Sequence, residues 1–131
     1  VTHLAILIPV SPIPAPRPRV TSKGWTYYPK RYKAWRDSVG EVLPGLLTEA
    51  GLTAPMEGPL EVTTAFVCVR PKTTKLQHPK GDLDNFEKGC WDECNGLCWV
   101  DDCQIVKSHS TKRWANPGED GYIEIHIRSA A

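Results

Sequence analysis

The sequence predicts an α+β fold, a single layer pair over residues 1–131 in which a mixed sheet packs against two main helices. Three observations carry that expectation. The length of 131 residues, with 40% apolar and 24% charged side chains, is an ordinary balance for one domain. Apolar residues recur at a spacing of two in some segments and of three to four in others. Those segments alternate as strand, helix, strand, helix and strands.

Leu4 to Val10 is a short apolar run followed by proline-rich sequence and reads as a buried strand. Pro12, Pro14, Pro16 and Pro18 then fix an extended segment that cannot join a central sheet. This proline-rich basic arm, about residues 11–20, carries Arg17 and Arg19 and is either a rigid strap or an element that touches phosphates or a second subunit. Trp25 to Tyr28 reads as a short strand, and Pro29 suits the first turn of the next helix. Tyr32, Trp35, Val39, Val42, Leu43, Leu46 and Leu47 predict a helix over 30–50, stopped by Gly51. Pro44 is expected to kink or interrupt it.

Leu60, Val62, Thr64, Phe66 and Cys68 alternate with Glu61, Thr63, Ala65 and Val67, a β-branched strand. Pro71 to Lys80 is a polar, basic loop bounded by prolines, of a length that tends to be functional. Asp84 with Glu87 three residues on has the form of a capping box, which predicts a helix over about 85–94. Phe86, Cys90, Cys94 and Leu97 would form its apolar face, with Lys88, Asp92 and Asn95 on the other. Leu97 to Val100 reads as a short buried strand delivering Asp101 and Asp102. Residues 104–114 and 122–128 read as two strands joined by an Asn116-Pro117-Gly118 turn.

No apolar run approaches the roughly 18 residues of a membrane span, so no membrane partner and a cytoplasmic location are expected. The net charge of +1 conceals a segregation along the chain. Residues 1–36 carry Arg17, Arg19, Lys23, Lys30, Arg31, Lys33 and Arg36 without one acid, and residues 70–80 carry Arg70, Lys72, Lys75 and Lys80, again without one. Between Gly81 and Gln104 the sign inverts: Asp82, Asp84, Glu87, Asp92, Glu93, Asp101 and Asp102 face Lys88 alone. Acids set between basic segments suit a cation site acting on a polyanion, or a solvated surface whose charges pair with one another.

Asp82 and Asp84 are one residue apart, so in extended backbone both side chains point the same way, whereas in a helix they diverge by roughly 200°. Mg²⁺ takes hard oxygen ligands, typically one or two carboxylates with water and substrate phosphate. A third carboxylate from Asp101 or Asp102 would complete a site for one or two cations, an arrangement suited to phosphodiester hydrolysis. The competing reading is that Asp84 only caps a helix.

The longer string decides between them. Gly81-Asp82-Leu83-Asp84-Asn85-Phe86, Lys88, Asp92, Asn95-Gly96 and Val100-Asp101-Asp102-Cys103-Gln104-Ile105 closely resemble the RusA-type crossover junction endodeoxyribonucleases, Holliday junction resolvases common in phages and prophages. Arg17-Pro18-Arg19, Gly58-Pro59-Leu60 and Lys112 extend the resemblance over most of the chain. It implies a RusA-like fold, Mg²⁺ or Mn²⁺ as cofactor, Asp82, Asp84 and Asp102 as catalytic metal ligands, and Lys88 as an essential lysine. It also implies homodimers, each subunit cutting one strand of a four-way junction in the cytoplasm of a bacterial cell. Asp92 and Asp101 are supporting candidates. Arg17, Arg19, Lys72, Lys75, Lys80, Lys112 and Arg113 are the expected DNA contacts, because they lie in basic segments flanking the acids. A non-catalytic protein that binds branched DNA is the alternative.

Cys90, Cys94, Cys98 and Cys103 depart from the family pattern and invite a zinc reading. Cys90 and Cys94 instead occupy a helix face where the family has small residues, which favours buried free thiols. The histidines, His3, His78, His109 and His126, have no ligand spacing.

Overall fold

The computed structural model describes residues 2–131. Four strands form the main sheet: β1 (His3–Ile8), then a two-stranded ribbon of β2 (Arg19–Val20) and β3 (Thr26–Tyr27) outside that sheet, then β4 (Leu60–Cys68), β5 (Ile105–Trp114) and β6 (Tyr122–Ser129). Helix α1 (Lys30–Glu49) separates β3 from β4, and α2 (Leu83–Cys94) separates β4 from β5. The sheet order is β1-β6-β4-β5. β6 runs antiparallel to both of its neighbours, and β4 and β5 are parallel, joined through α2. A mixed α+β sheet with two helices is therefore what the chain forms.

One sheet face is apolar because each strand alternates on a period of two. Leu4, Ile6 and Ile8 of β1 stand opposite Ile127, Ile125 and Ile123 of β6, which in turn face Val62, Thr64 and Phe66 of β4. All nine are buried. The helices cover this face, α1 through Tyr32, Trp35, Val39, Leu43 and Leu47 and α2 through Phe86, Cys90 and Cys94. Arg36 of α1 donates to Glu93 of α2 at 2.9 Å, tying the two helices at their surface. The other sheet face, along Ala5, His126, Thr63 and His109, carries no helix.

Three expectations need correction. Helix α1 runs through Pro44 without a break. Pro44 deprives only the Gly40 carbonyl of its donor, and both residues are exposed, so water satisfies it. Helix α2 begins at Leu83, and the Asp84–Glu87 capping box does not form: Glu87 instead accepts the Ser110 hydroxyl of β5 at 2.5 Å. Residues 97–100 make isolated bridges from Trp99 to Met56 and Asn95, not a strand, and Leu97 and Val100 are exposed. The two strands expected on either side of Asn116-Pro117-Gly118 do form, as β5 and β6, and β4 lies between them in the sheet.

The connection from β5 to β6 therefore has to cross β4, and Arg113 closes it with hydrogen bonds of 2.8 and 3.0 Å to Glu119. Arg113 and the Asn116 amide hold the Glu119 carboxyl down at about 2, below its usual 4.5. A depressed carboxyl stabilises the fold above its unfolded value and loses that contribution as pH falls toward 2. The melting difference between wild type and Glu119→Gln is expected to be constant above about pH 5 and to shrink in acid; a difference independent of pH would deny the pair any role.

Candidate active site

The acidic end of α2 is built by two supports that converge on residue 81. The strap of residues 11–16 lies against it: the Ala15 amide donates to the Asn85 carbonyl at 2.9 Å, and Pro14 closes on Gly81 so tightly that a Cβ there would stand 2.8 Å from the proline ring. With φ at 104°, Gly81 also has a backbone that side chains resist. From the sheet, Lys112 of β5 donates to the carbonyls of Pro79 at 2.9 Å and Gly81 at 2.5 Å. Its neighbour Trp114 donates to the Leu76 carbonyl at 2.9 Å, so the two side chains fasten the loop 71–81 to the end of β5.

Lys112 was expected to meet DNA, yet its ammonium is spent on the segment that leads into Asp82. Lys112→Met is expected to raise hydrogen exchange of amides 80–86 while leaving the β4–β6 ladder protected. Unchanged exchange over 80–86 would show that the loop holds itself.

Held this way, Asp82 occupies the cap position of α2 in extended backbone, with its side chain making no capping hydrogen bond, and Asp84 sits in the first helical turn. The two are thus not both extended, as the pairing argument assumed. Both are exposed, and neither carboxylate has a hydrogen-bond partner among the described residues. The positive end of the helix dipole favours negative charge here, carboxylate or phosphate. Lys88 follows one turn beyond Asp84 on the same face, its side chain 60% exposed and its ammonium 3.4 Å from Asp92.

Asp102 is elsewhere. The Asn95 amide, at the C-terminal cap of α2, reaches its carboxylate at 3.4 Å, and the buried Trp99 indole fixes that amide by donating to its oxygen at 2.7 Å. From Asp84 to Asn95 the helix advances by about 16 Å at 1.5 Å per residue. The strand gives a second ruler: Lys112, bonded to Gly81, lies seven residues along β5 from Ile105, about 23 Å of extended chain. One chain therefore does not bring Asp102 to Asp82 and Asp84, and among the described residues no group of three acidic, histidine or cysteine side chains is placed to share an ion.

Asp101 is a turn residue. Its carboxylate accepts the Cys103 amide at 3.1 Å, and Gln104 returns to its backbone at 3.0 Å, a complete capping box on the single 3₁₀ turn Asp102–Gln104. The Cys103 thiol, then its amide, holds the Asp101 carboxyl below the usual range. Gln104 also donates to the carbonyls of Met56 and Gly58, which anchors the turn to the start of β4.

The donor chemistry suits a hard cation that keeps most of its water. Asp82 and Asp84 offer two unengaged carboxylates, which matches Mg²⁺ and not an all-protein cage. The thiols do not form one zinc set: Cys90, Cys94 and Cys98 are buried, while Cys103 is exposed beside Asp101. Contact with Cys90 and Cys98, together with burial, keeps Cys94 protonated.

Of the expected DNA contacts, Arg17, Arg19, Lys72, Lys75 and Lys80 are exposed, and Arg113 is committed to Glu119. Lys80 and Arg31 edge a groove of about 400 Å³ beside Gly81, floored by Phe86 and Trp114. Sequence reasoning missed Asn95, Trp99 and Ser110 as supports; the Asn95-Gly96 turn signal pointed at the first of them, and nothing in the pattern marks the others.

A family model described as "Endodeoxyribonuclease RusA" matches residues 9–128. A relative from Enterobacteria phage 82, described as "Crossover junction endodeoxyribonuclease rusA", is 27% identical over 107 residues, which cover 81% of this chain and 78% of that protein. No helix among the described residues is long and apolar enough to cross a membrane.

Proposed function

Because the chain belongs to the RusA endodeoxyribonuclease family, we propose that it resolves four-way junctions and related branched DNA by phosphodiester hydrolysis dependent on Mg²⁺ or Mn²⁺. The observation that carries this reading is the pair of unengaged carboxylates, Asp82 and Asp84, mounted between a basic loop and a basic arm. Asp82, Asp84 and Asp102 would hold the cation, which when bound supplies charge neutralisation at the phosphate and an activated water. Lys88 faces the phosphate from one turn further along α2 and balances its developing charge. Arg17, Arg19, Lys72, Lys75 and Lys80 position the backbone by charge.

The protein acts as a homodimer, and the separation of the acids supports a part for the second subunit in each site. Since α2 sets Asn95, the partner of Asp102, about 16 Å along the helix from Asp84, a complete three-carboxylate site needs Asp102 from the other copy. A labelled four-way junction with Mg²⁺ against EDTA tests the activity, and cleavage indifferent to EDTA would overturn it. Mixing Asp82→Asn with Asp102→Asn subunits tests the dimer. If Asp102 acts across the interface, the mixed dimer keeps one intact site and regains nicking, whereas a site within one chain would leave both subunits dead. A phage-encoded protein working in the bacterial cytoplasm accords with this chemistry.

A further inference from the structure

The arm that leaves the strap is more than a source of charge. Every residue from 17 to 27 is exposed, and the ribbon of β2 and β3 carries large apolar groups into solvent: Trp25 is 74% exposed, Val20 64% and Tyr27 46%. A two-stranded ribbon is marginal by itself in water, and presenting an indole and a phenol ring from one gains nothing for the fold. The turn is nonetheless well specified. The Thr21 amide donates to the Trp25 carbonyl at 2.8 Å, Gly24 turns at a φ of 83° and bonds back to Thr21 at 3.0 Å, and the Trp25 amide is held by the Thr21 hydroxyl at 3.1 Å. The three-residue loop Ser22-Lys23-Gly24 thus fixes where Trp25 starts.

Strand alternation puts Trp25 on the ribbon face of Tyr27, and Tyr27 is the register partner of Arg19. Two aromatic rings and a guanidinium therefore share a face, with Arg17 and Lys23 at its ends and no acid anywhere in residues 1–36. Flat rings beside guanidinium and ammonium groups suit a ligand with flat π-faces strung on phosphates. The ribbon is also rooted at the acids: Ala15 is bonded to Asn85, Pro14 lies on Gly81, and Arg19 is only four residues on, at most about 14 Å of chain.

We propose that Trp25, supported by Tyr27 and Arg19, is a stacking platform for an unstacked nucleobase beside the cut phosphate. Paired duplex offers no free base face, whereas the branch point of a junction does, so the platform discriminates branched from linear DNA. The inference rests on the reading of branched DNA as substrate.

The test compares wild type, Trp25→Ala and Trp25→Phe in EDTA, binding a four-way junction with 2-aminopurine at the branch and a duplex of matched length. Trp25→Ala should lose roughly 5- to 150-fold in junction affinity, as when a base loses an aromatic partner. Its duplex affinity and salt slope should not change, because no phosphate contact is removed. Wild type should quench 2-aminopurine more than Trp25→Ala does, and Trp25→Phe should recover most of the affinity. Equal losses on junction and duplex, an unchanged junction affinity, or a dimer dissociated by Trp25→Ala in sedimentation would each overturn the platform. Wild type that binds no branched DNA is a different result, and it overturns the functional reading beneath the proposal.

Discussion

Asp82→Asn and Asp84→Asn are each expected to lose at least about a thousandfold in junction cleavage while binding the junction as tightly as wild type or more so. Several kcal/mol of charge stabilisation come from a correctly held cation, and each ~1.4 kcal/mol is tenfold in rate. Removing one of the three carboxylates takes away much of that hold. The same change removes a negative charge that repels phosphate, which is why binding should not fall. Neither side chain is packed or hydrogen-bonded among the described residues, so melting should stay within about 0.5 kcal/mol of wild type. Asp102→Asn should match the two in rate, and Asp101→Asn should be milder because Asp101 caps a turn. Wild-type rates in Asp82→Asn and Asp84→Asn, measured in single turnover with Mg²⁺, would remove the pair from the chemistry.

Lys88→Ala should slow cleavage at saturating DNA and Mg²⁺ by at least about a hundredfold, as when a preorganised charge is removed from a transition state. In the resting protein Lys88 is paired loosely with Asp92 across one helical turn, at 3.4 Å and largely in solvent. Such a pair contributes under roughly 0.5 kcal/mol to stability and nothing to chemistry. The two roles therefore differ by orders of magnitude in rate but hardly in melting. Junction affinity should change little, since one phosphate contact among many is lost. A near-normal single-turnover rate would leave Lys88 as a surface ion pair.

Periodicity made most of the fold legible. The apolar spacing of Tyr32, Trp35, Val39 and Leu43 and the alternation through Leu60 to Cys68 correspond to α1 and β4 because burial on one face is what fixes those elements. The errors lie where a long-range contact overrides a local signal. Glu87 leaves its capping role because Ser110, 23 residues away, offers a half-buried hydroxyl. The run 97–100 is apolar enough for a strand, but Trp99 is consumed in holding Asn95 and pairs only through single bridges to Met56 and Asn95. The site divides the same way. The motif around Asp82 and Lys88 is local and was readable, whereas the distance to Asp102 depends on α2 running straight between them, and the duty of Lys112 depends on which strand β5 lies beside. Neither can be read from spacing in one dimension.

The position of β6 has a consequence for folding. It follows the other described strands in the sequence, yet it lies second in the sheet, and it alone bridges β1 to β4. A nascent chain halted before Tyr122 has already acquired every aspartate and lysine assigned to DNA cleavage, but β1 and β4 then face each other across a gap with bare, apolar ladders, a state prone to pairing with other chains. Such non-local closure is also slow. The sheet whose edge strand carries Lys112, and through it the segment leading into Asp82, is therefore complete only once Tyr122–Ser129 has slotted between β1 and β4.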